Sequence, residues 1–381
     1  MRTWELRWVR NKKYLFVILL IIICLSVHPG CTLNPLKNIQ TLDMENNDDM
    51  DSDLIIVGFS QLGSESDWRT ANTKSIQNAL TKENGFSLIF ANGRQKQENQ
   101  IKDVRSFIFQ EVDYIVIAPV TETGWDTVLT EAKEAGIPVV IVDRMIDTED
   151  ESLYVAWVGT DKYEEGVKAG LWLEKHLKEK AKNSGTPDDD WDVPEETGDN
   201  ADIAAEDIVS DGEEEETVNI VVLEGTINST AQLGRSKGFE DIAARNKNWK
   251  IIAKESGEFT KAKGKEVMKK FLKEHEDIDV LVSQNDDMTF GAIEAIHEAG
   301  RTCGVNGDII VISFDAVSKA FDMMEAGYIN VDIECNPLQG PPIADIITRL
   351  ERGEKVPRIT YVEGQVFEAE NASKDRIGRT Y

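Results

Sequence analysis

Six short stretches hold most of the side chains able to recognise a ligand. "GSESDWR" (63–69) brings Glu65, Ser66, Trp68 and Arg69 together, and "NGRQKQENQ" (92–100) carries Gln95. "IVDR" (141–144) ends in Asp143 and Arg144, and "NSTAQLGR" (228–235) ends in Arg235. "NDDM" (285–288) begins with Asn285, and "SFDA" (313–316) contains Asp315. These are carboxylates, amides and guanidinium groups with one indole among them. Such a set suits an uncharged polyhydroxyl ligand. Each hydroxyl both donates and accepts, so it pairs with Asp or Asn on one side and Arg on the other. The C–H face of such a ring packs on an aromatic plane, which Trp68 supplies. Each group has a plainer reading when taken alone. Asp143-Arg144 reads as a solvated turn or a structural ion pair, Asn285-Asp286-Asp287 as a helix N-cap, Trp68 as core, and Arg235 as an exposed helix charge.

Their recurrence at equivalent places in two halves of the chain lifts the ligand reading above these. Apolar, strand-like runs cover 54–60, 86–92, 114–119 and 138–143, and again 218–225, 249–256, 279–285 and 309–315. Helical patterns such as 99–110, 124–136 and 289–300 lie between them, several ending at Gly as helices commonly do. Near-continuous apolar strands alternating with helices predict an α/β fold with parallel sheets covered on both faces. Eight such units also satisfy a single closed barrel. The likeness of the halves favours two doubly wound lobes, in which ligands bind beyond the carboxyl ends of the strands.

The chain has 381 residues and a formal net charge of −28, from 42 Lys and Arg against 70 Asp and Glu. That field disfavours nucleic acid and anionic lipid surfaces. Four cysteines, at 24, 31, 303 and 335, show no CxxC and no metal-ligand spacing, so neither a disulfide scaffold nor a structural zinc site is expected. Arg2, Arg7, Arg10, Lys12 and Lys13 precede the apolar run 14–27, the layout of an export signal. That run is short for a spanning helix, which needs about 20 residues. "SVHPGC" resembles the end of a bacterial lipoprotein signal, which makes Cys31 the expected lipidation site. An uncleaved signal anchor and ordinary secretion are the alternatives. Residues 32–53 read as a polar tether, so an extracytoplasmic, membrane-held protein is expected. Residues 183–217 contain fifteen acids and no Lys or Arg, which predicts a disordered acidic insertion. Its alternating Asp188, Asp190 and Asp192 lack the Gly and Glu of an EF-hand loop, so no metal is assigned there.

The stretches "VGFSQLGSESDWR", "GRQKQENQIKDVRSFI", "IAPVTETGW", "VDRMID", "ESGEFTKAKGKEVMKKF" and "NDDMTFGAIEAI" resemble the type I periplasmic-binding family. This is the family of ribose-, galactose- and arabinose-binding proteins, and the similarity is greatest to its galactofuranose-binding branch. It covers residues 54–381 apart from the acidic segment. The resemblance implies two lobes joined by a hinge of three chain crossings: 54–157 plus 336–360, and 158–335 plus 361–381. It implies that Trp68 stacks on a sugar ring with Ser66 and Arg69 nearby. Asp143 and Arg144 would bind hydroxyls from the first lobe, and Arg235, Asn285 and Asp315 from the second. Glu334, near a crossing, would add a carboxylate, and Glu65 and Gln95 are further candidates. An ABC permease and its ATPase subunit are the implied partners of a monomer, with no cofactor. "NSTAQLGR" and the segment "DIECNPLQGPP" depart from the branch's pattern and bear on which sugar is bound.

Other function classes fit less well. No GxSxG, HExxH, Walker loop or GxGxxG is present, and no His stands beside a nucleophile, so no enzyme is expected. Paired carboxylates hint at a glycosidase, but neighbouring Arg residues keep such acids ionised instead of ready to donate a proton. A sugar-responsive repressor would carry a helix-turn-helix where this chain has its signal. A sensor passing sugar occupancy to a kinase or chemoreceptor needs the same cleft and stays open as the alternative.

Overall fold

The computed structural model describes residues 54–183 and 216–381. The expected signal, Cys31, the tether and nearly all of the acidic insertion lie outside these residues, as does the calcium-like spacing. No helix among the described residues is long and apolar enough to cross a membrane.

Two six-stranded sheets form the frame. In the first, β1 (Ile55–Gln61), β2 (Phe86–Asn92), β3 (Tyr114–Ile117), β4 (Val139–Val142), β5 (Ala156–Gly159) and β11 (Ile359–Tyr361) lie in the order β11-β5-β4-β3-β1-β2, all parallel. In the second, β6 (Val218–Glu224), β7 (Trp249–Ser256), β8 (Val280–Ser283), β9 (Ile310–Phe314), β10 (Val331–Ile333) and β12 (Val366–Glu368) lie in the order β12-β10-β9-β8-β6-β7. Only the edge strand β12 runs antiparallel among these. The central strands β3, β4, β8 and β9 are buried along their whole length, because helices cover both faces. This accounts for their unbroken apolar runs and rules out the single barrel.

The helices that matter for the site follow the strands. They are α1 (Asp67–Ala79), α2 (Gln97–Phe109), α3 (Asp126–Glu134), α4 (Lys162–Asn183), α5 (Thr230–Ala243), α6 (Lys261–Glu274) and α7 (Asp286–Glu298). Beyond them lie α8 (Ser318–Glu325) and α9 (Gly340–Glu351). Side chains of Ser66, Ser229, Thr260 and Asn285 cap α1, α5, α6 and α7 by accepting a backbone hydrogen from the first turn. The chain passes between the sheets three times: from β5 to α4, from β10 to α9, and from β11 to β12. Val158, Gly159 and Tyr361 pair within the first sheet, so the crossings fall just after the boundaries expected at 157 and 360. The strand β5 is missing from the sequence reading because four residues, two of them Trp157 and Gly159, give little periodicity.

Helices α4 and α5 approach backbone to backbone. A Cβ on Gly166 would stand 2.3 Å from the Arg235 carbonyl oxygen, and one on Gly238 would stand 2.1 Å from that of Tyr163. This contact fixes the distance between Glu165 on α4 and Arg235 on α5. Mid-helix Gly costs about 1 kcal/mol against Ala in propensity, yet any added carbon here overlaps backbone that has no rotamer to escape with. Gly238→Val is therefore expected to lower the unfolding free energy by about 1–3 kcal/mol, read as a lower urea midpoint at unchanged slope.

Beneath the end of the second sheet two acids are buried together. Asp286 accepts from Ser313 Oγ at 2.6 Å and from the Val317 amide at 2.8 Å, and Asp332 accepts from the Ala316 amide at 3.1 Å. Burial pushes both carboxyls up, Asp286 well above the carboxylate range and Asp332 to about 7, and they titrate as a pair that holds a proton. Because the folded state binds protons at this pair more tightly than the unfolded chain, their stabilising effect is complete at low pH and is lost progressively from about pH 7 upward, as Asp332 ionises first. Wild type should therefore lose stability between pH 6 and pH 8 from this pair. Asp332→Asn, whose amide imitates the protonated acid, should flatten that loss in thermal melts.

Candidate functional site

Where the two sheets' carboxyl ends face each other, a small cavity of about 30 Å³ lies between the lobes. That is room for a water or two and is well below the size of a ligand pocket, so a sugar enters only as the lining side chains move apart. The first lobe contributes Glu65, Ser66, Trp68, Arg69, Asp143 and Arg144 to its walls. The second contributes Ala231, Arg235, Phe259, Asn285 and Asp315, and the crossings add Lys162 and Cys335.

Each lobe builds its half from the same parts. The first helix after the first strand supplies an Arg, and the end of the fourth strand supplies an Asp. In the first lobe Arg69 Nη2 meets Asp143 Oδ2 at 2.7 Å, and Arg69 Nε meets Glu65 Oε1 at 3.0 Å. In the second lobe Arg235 Nη2 meets Asp315 Oδ1 at 3.1 Å, and Arg235 Nε meets Glu165 Oε2 at 2.7 Å. Both strand-end acids have left-handed backbone, with φ of 62° at Asp143 and 107° at Asp315. The turn takes each carboxylate off the strand axis and into the cavity, a strain typical of ligand sites.

Lys162, the first residue of α4, joins the halves. Its ammonium lies 3.2 Å from Asp143 Oδ1 and 3.7 Å from Glu165 Oε1. The charged groups therefore alternate in one chain: Glu65, Arg69, Asp143, Lys162, Glu165, Arg235, Asp315. Burial alone would raise the acids, but Lys162, Arg69 and Arg144 hold Asp143 well below the carboxylate range. Arg235 and Lys162 likewise lower Glu165 against its burial. Asp315 goes the other way: burial, helped by Asp286, lifts it despite Arg235. Its Oδ1 accepts from Arg235 in either protonation state.

Among the described residues no carboxylate pairs with Arg144. Its Nη1 donates to the Val120 carbonyl at 2.7 Å, and its guanidinium sits 5.5 Å from the centre of the Phe259 ring across the cleft. Burial and the nearby Arg69 pull it down to about 10, still protonated at neutral pH. Trp68 is 4% exposed and packs against the second lobe's core, with Arg69 at 4.7 Å and Lys162 at 5.6 Å from its ring. Its indole N–H donates to the Cys335 carbonyl. It is at once core and cavity wall. Asn285 combines both of its readings in the same way, since it caps α7, donates to the Phe259 carbonyl at 3.2 Å and lines the cavity. Ser66 lines the cavity while its hydroxyl accepts from the Arg69 amide. Two buried atoms of this wall have no hydrogen-bond partner among the described residues: Arg69 Nη1, a donor, and Glu65 Oε2, an acceptor. Together they match one hydroxyl's needs.

Two expected residues stand outside the wall. Gln95 is exposed in the turn after β2, an edge strand whose end is remote from the sheet's centre, and its amide N–H donates to the Leu62 carbonyl at 2.6 Å. Glu334 turns away from the cavity: it accepts from the Gln365 amide at 2.9 Å, from Arg379 at 2.9 Å and from the Tyr381 hydroxyl. The reading from sequence missed Lys162, Glu165 and Phe259. Phe259 lay in view within "SGEFTKAKG", but a loop Phe carries no polar signal. Lys162 and Glu165 follow the unrecognised strand β5 in "GTDKYEEG".

Comparison with known proteins agrees with this construction. The family described as periplasmic binding protein domain matches residues 57–340. The galactofuranose-binding protein YtfQ of Escherichia coli (strain K12) is 37% identical over 325 residues, covering 84% of this chain and 90% of that protein. The periplasmic binding protein of an arabinose ABC transporter from Shewanella sp. ANA-3, solved with α- and β-L-arabinofuranose, is 40% identical. It superposes with a TM-score of 0.72 over 84% of this chain and 94% of that one. A Mycobacterium smegmatis protein solved with β-D-fucofuranose is 38% identical, with a TM-score of 0.73 over 84% and 93% of the two chains. With two parallel-sheet lobes facing each other across a charged cleft, and a family match over most of its length, this chain belongs to the periplasmic binding proteins and has their type I fold.

Proposed function

We propose that this chain is the extracytoplasmic sugar-binding subunit of an ABC importer, and that its cargo is a monosaccharide in furanose form. The observation that carries this reading is the composition of the wall. Four cations, Arg69, Arg144, Lys162 and Arg235, share the wall with the acids Glu65, Asp143 and Asp315, and Glu165 pairs with Lys162 and Arg235 from behind, so the space between them suits a neutral ligand rich in hydroxyls. Relatives near 40% identity named for, or solved with, furanoses support the ring form.

In this reading Trp68 and Phe259 supply the apolar surfaces, while Asp143, Arg144, Arg69 and Glu65 hold hydroxyls from one lobe. Arg235, Asn285 and Asp315 hold them from the other. The sugar stabilises the closed arrangement because only there does it touch both lobes. The closed protein then docks on a membrane permease, and a partner ATPase supplies the energy. Lipidation at Cys31 would keep the binder at the membrane, and the chain would act as a monomer.

The test is calorimetric titration of residues 54–381 with a panel of galactose, ribose, arabinose, glucose and furanose-locked galactosides and arabinosides. Sub-micromolar binding of a furanose is the expected result. Trp68→Ala and Arg144→Ala should each weaken it by a factor of about 30 or more, within the range for deleting one designed partner of a sugar. A folded protein that binds none of these sugars would sink the sugar-carrier reading.

A further inference from the structure

The alternating chain of charges is continuous at one point only because of Lys162, and that residue sits on the first crossing between the lobes. Remove it, and two separate clusters remain: Glu65, Arg69 and Asp143 in the first lobe, and Glu165, Arg235 and Asp315 in the second. The ammonium has three donors. Its close partners are Thr160 Oγ1 at 2.8 Å, Cys335 Sγ at 2.8 Å and Asp143 Oδ1 at 3.2 Å, all within the protein. Thr160 and Lys162 flank the start of the first crossing, and Cys335 lies on the second. One side chain thus ties two crossings together and also touches a first-lobe acid. The third crossing is joined to the others nearby, where the Glu334 and Gln365 backbones bond each other and Lys168 Nζ donates to the Gly364 carbonyl at 3.2 Å.

We infer that Lys162 is a positioning residue that couples closure of the lobes to ligand binding, acting through Asp143 and not as a sugar contact. When the lobes close, Asp143 and Glu165 come to share one buried cation. When they open, the two acids separate, and Lys162 is left with one of them. Two acids brought together without that cation would repel each other in a poorly solvated space, so closure becomes costly in its absence. The lysine therefore belongs to the energetics of the hinge as much as to the wall of the cavity. Cys335 supports this placement: burial pushes its thiol up to about 12, so it meets Lys162 as a neutral acceptor and does not compete with Asp143 for the charge.

The inference rests on the sugar-binding reading for its affinity readout but has a second readout without sugar. The full chain, its Lys162→Met variant and its Lys162→Gln variant are compared by furanose titration, by thermal melting and by small-angle X-ray scattering in low salt. The glutamine keeps a donor toward Thr160 and Cys335 but lacks the charge, and it stands in if the methionine variant does not fold. Both variants should bind about 50-fold more weakly, and without sugar both should scatter as more extended particles than wild type. Wild-type affinity in a folded variant would overturn the inference. Weakened binding with unchanged sugar-free scattering would overturn it too, because Lys162 would then be a ligand contact and not a link between lobes. If wild type binds no furanose, the sugar reading falls by itself. The sugar-free scattering of the folded variants then decides the role of Lys162: greater extension upholds it, and no change sinks it.

Discussion

A buried charge without an opposite neighbour is untenable, and the centre of this molecule is organised around that constraint. Arg69, Lys162 and Arg235 are each at most 4% exposed, and removing such ions from water costs several kcal/mol apiece. Each is placed between two acids, and Asp143 and Glu165 are each placed between two cations. The alternation spreads the electrostatic compensation over the whole wall, so no single pair carries it. Arg144 is the exception, which is why its affinity for a proton falls below the usual arginine range. A flat ring and a backbone carbonyl do for it what a carboxylate does for the others. Such a wall already satisfies its own charges, so what it has left to offer a ligand is hydrogen-bonding capacity.

Holding that alternation demands backbone precision, and the fold supplies it twice. The left-handed turns at Asp143 and Asp315 aim the acids inward from rigid strand ends. Helix N-caps at Ser66 and Ser229 fix the helices from which Arg69 and Arg235 reach those acids. On the far side, the close approach of α4 and α5 at Gly166 and Gly238 sets the Glu165–Arg235 spacing, since larger residues would separate the helices. The backbone around the cleft thus keeps seven charged side chains each within 4 Å of an opposite charge.

Much of this was legible in the sequence because period and position carry it. The eight long apolar runs marked β1 to β4 and β6 to β9, and Asp143, Arg144, Arg235, Asn285 and Asp315 declared themselves by following those runs in both halves. What escaped was whatever depends on short or late elements. The strand β5 has four residues, and without it Lys162 and Glu165 read as ordinary surface charges at the start of a long helix. Glu334 follows a three-residue strand, where direction cannot be read from alternation, and its partners Arg379 and Tyr381 come from the far end of the chain. Gln95, a further candidate from the resemblance, lies off the wall because β2 is at the edge of its sheet and the central strand ends are those that converge on the cleft.

The contacts that cross the cleft also explain why closure calls for a ligand. The Asp67 amide donates to Asp287 at 3.1 Å, the Met145 amide to Thr230 at 2.8 Å, and the Trp68 indole to the Cys335 carbonyl. Opening exchanges each for water, so each contributes only about 1 kcal/mol net. Burial pushes Asp287 up to about 6, a sign that closing strips solvent from its carboxylate and offsets part of what its hydrogen bond provides. Moving a two-state equilibrium decisively takes about 5.5 kcal/mol of preference. The protein's own bridges, the Lys162–Asp143 ion pair among them, leave the sugar-free protein divided between open and closed forms, and the lining must give up its water on closing. A ligand whose hydroxyls replace that water on both walls at once supplies the difference. A ligand that reached one wall alone would bind the open and closed forms alike and close nothing.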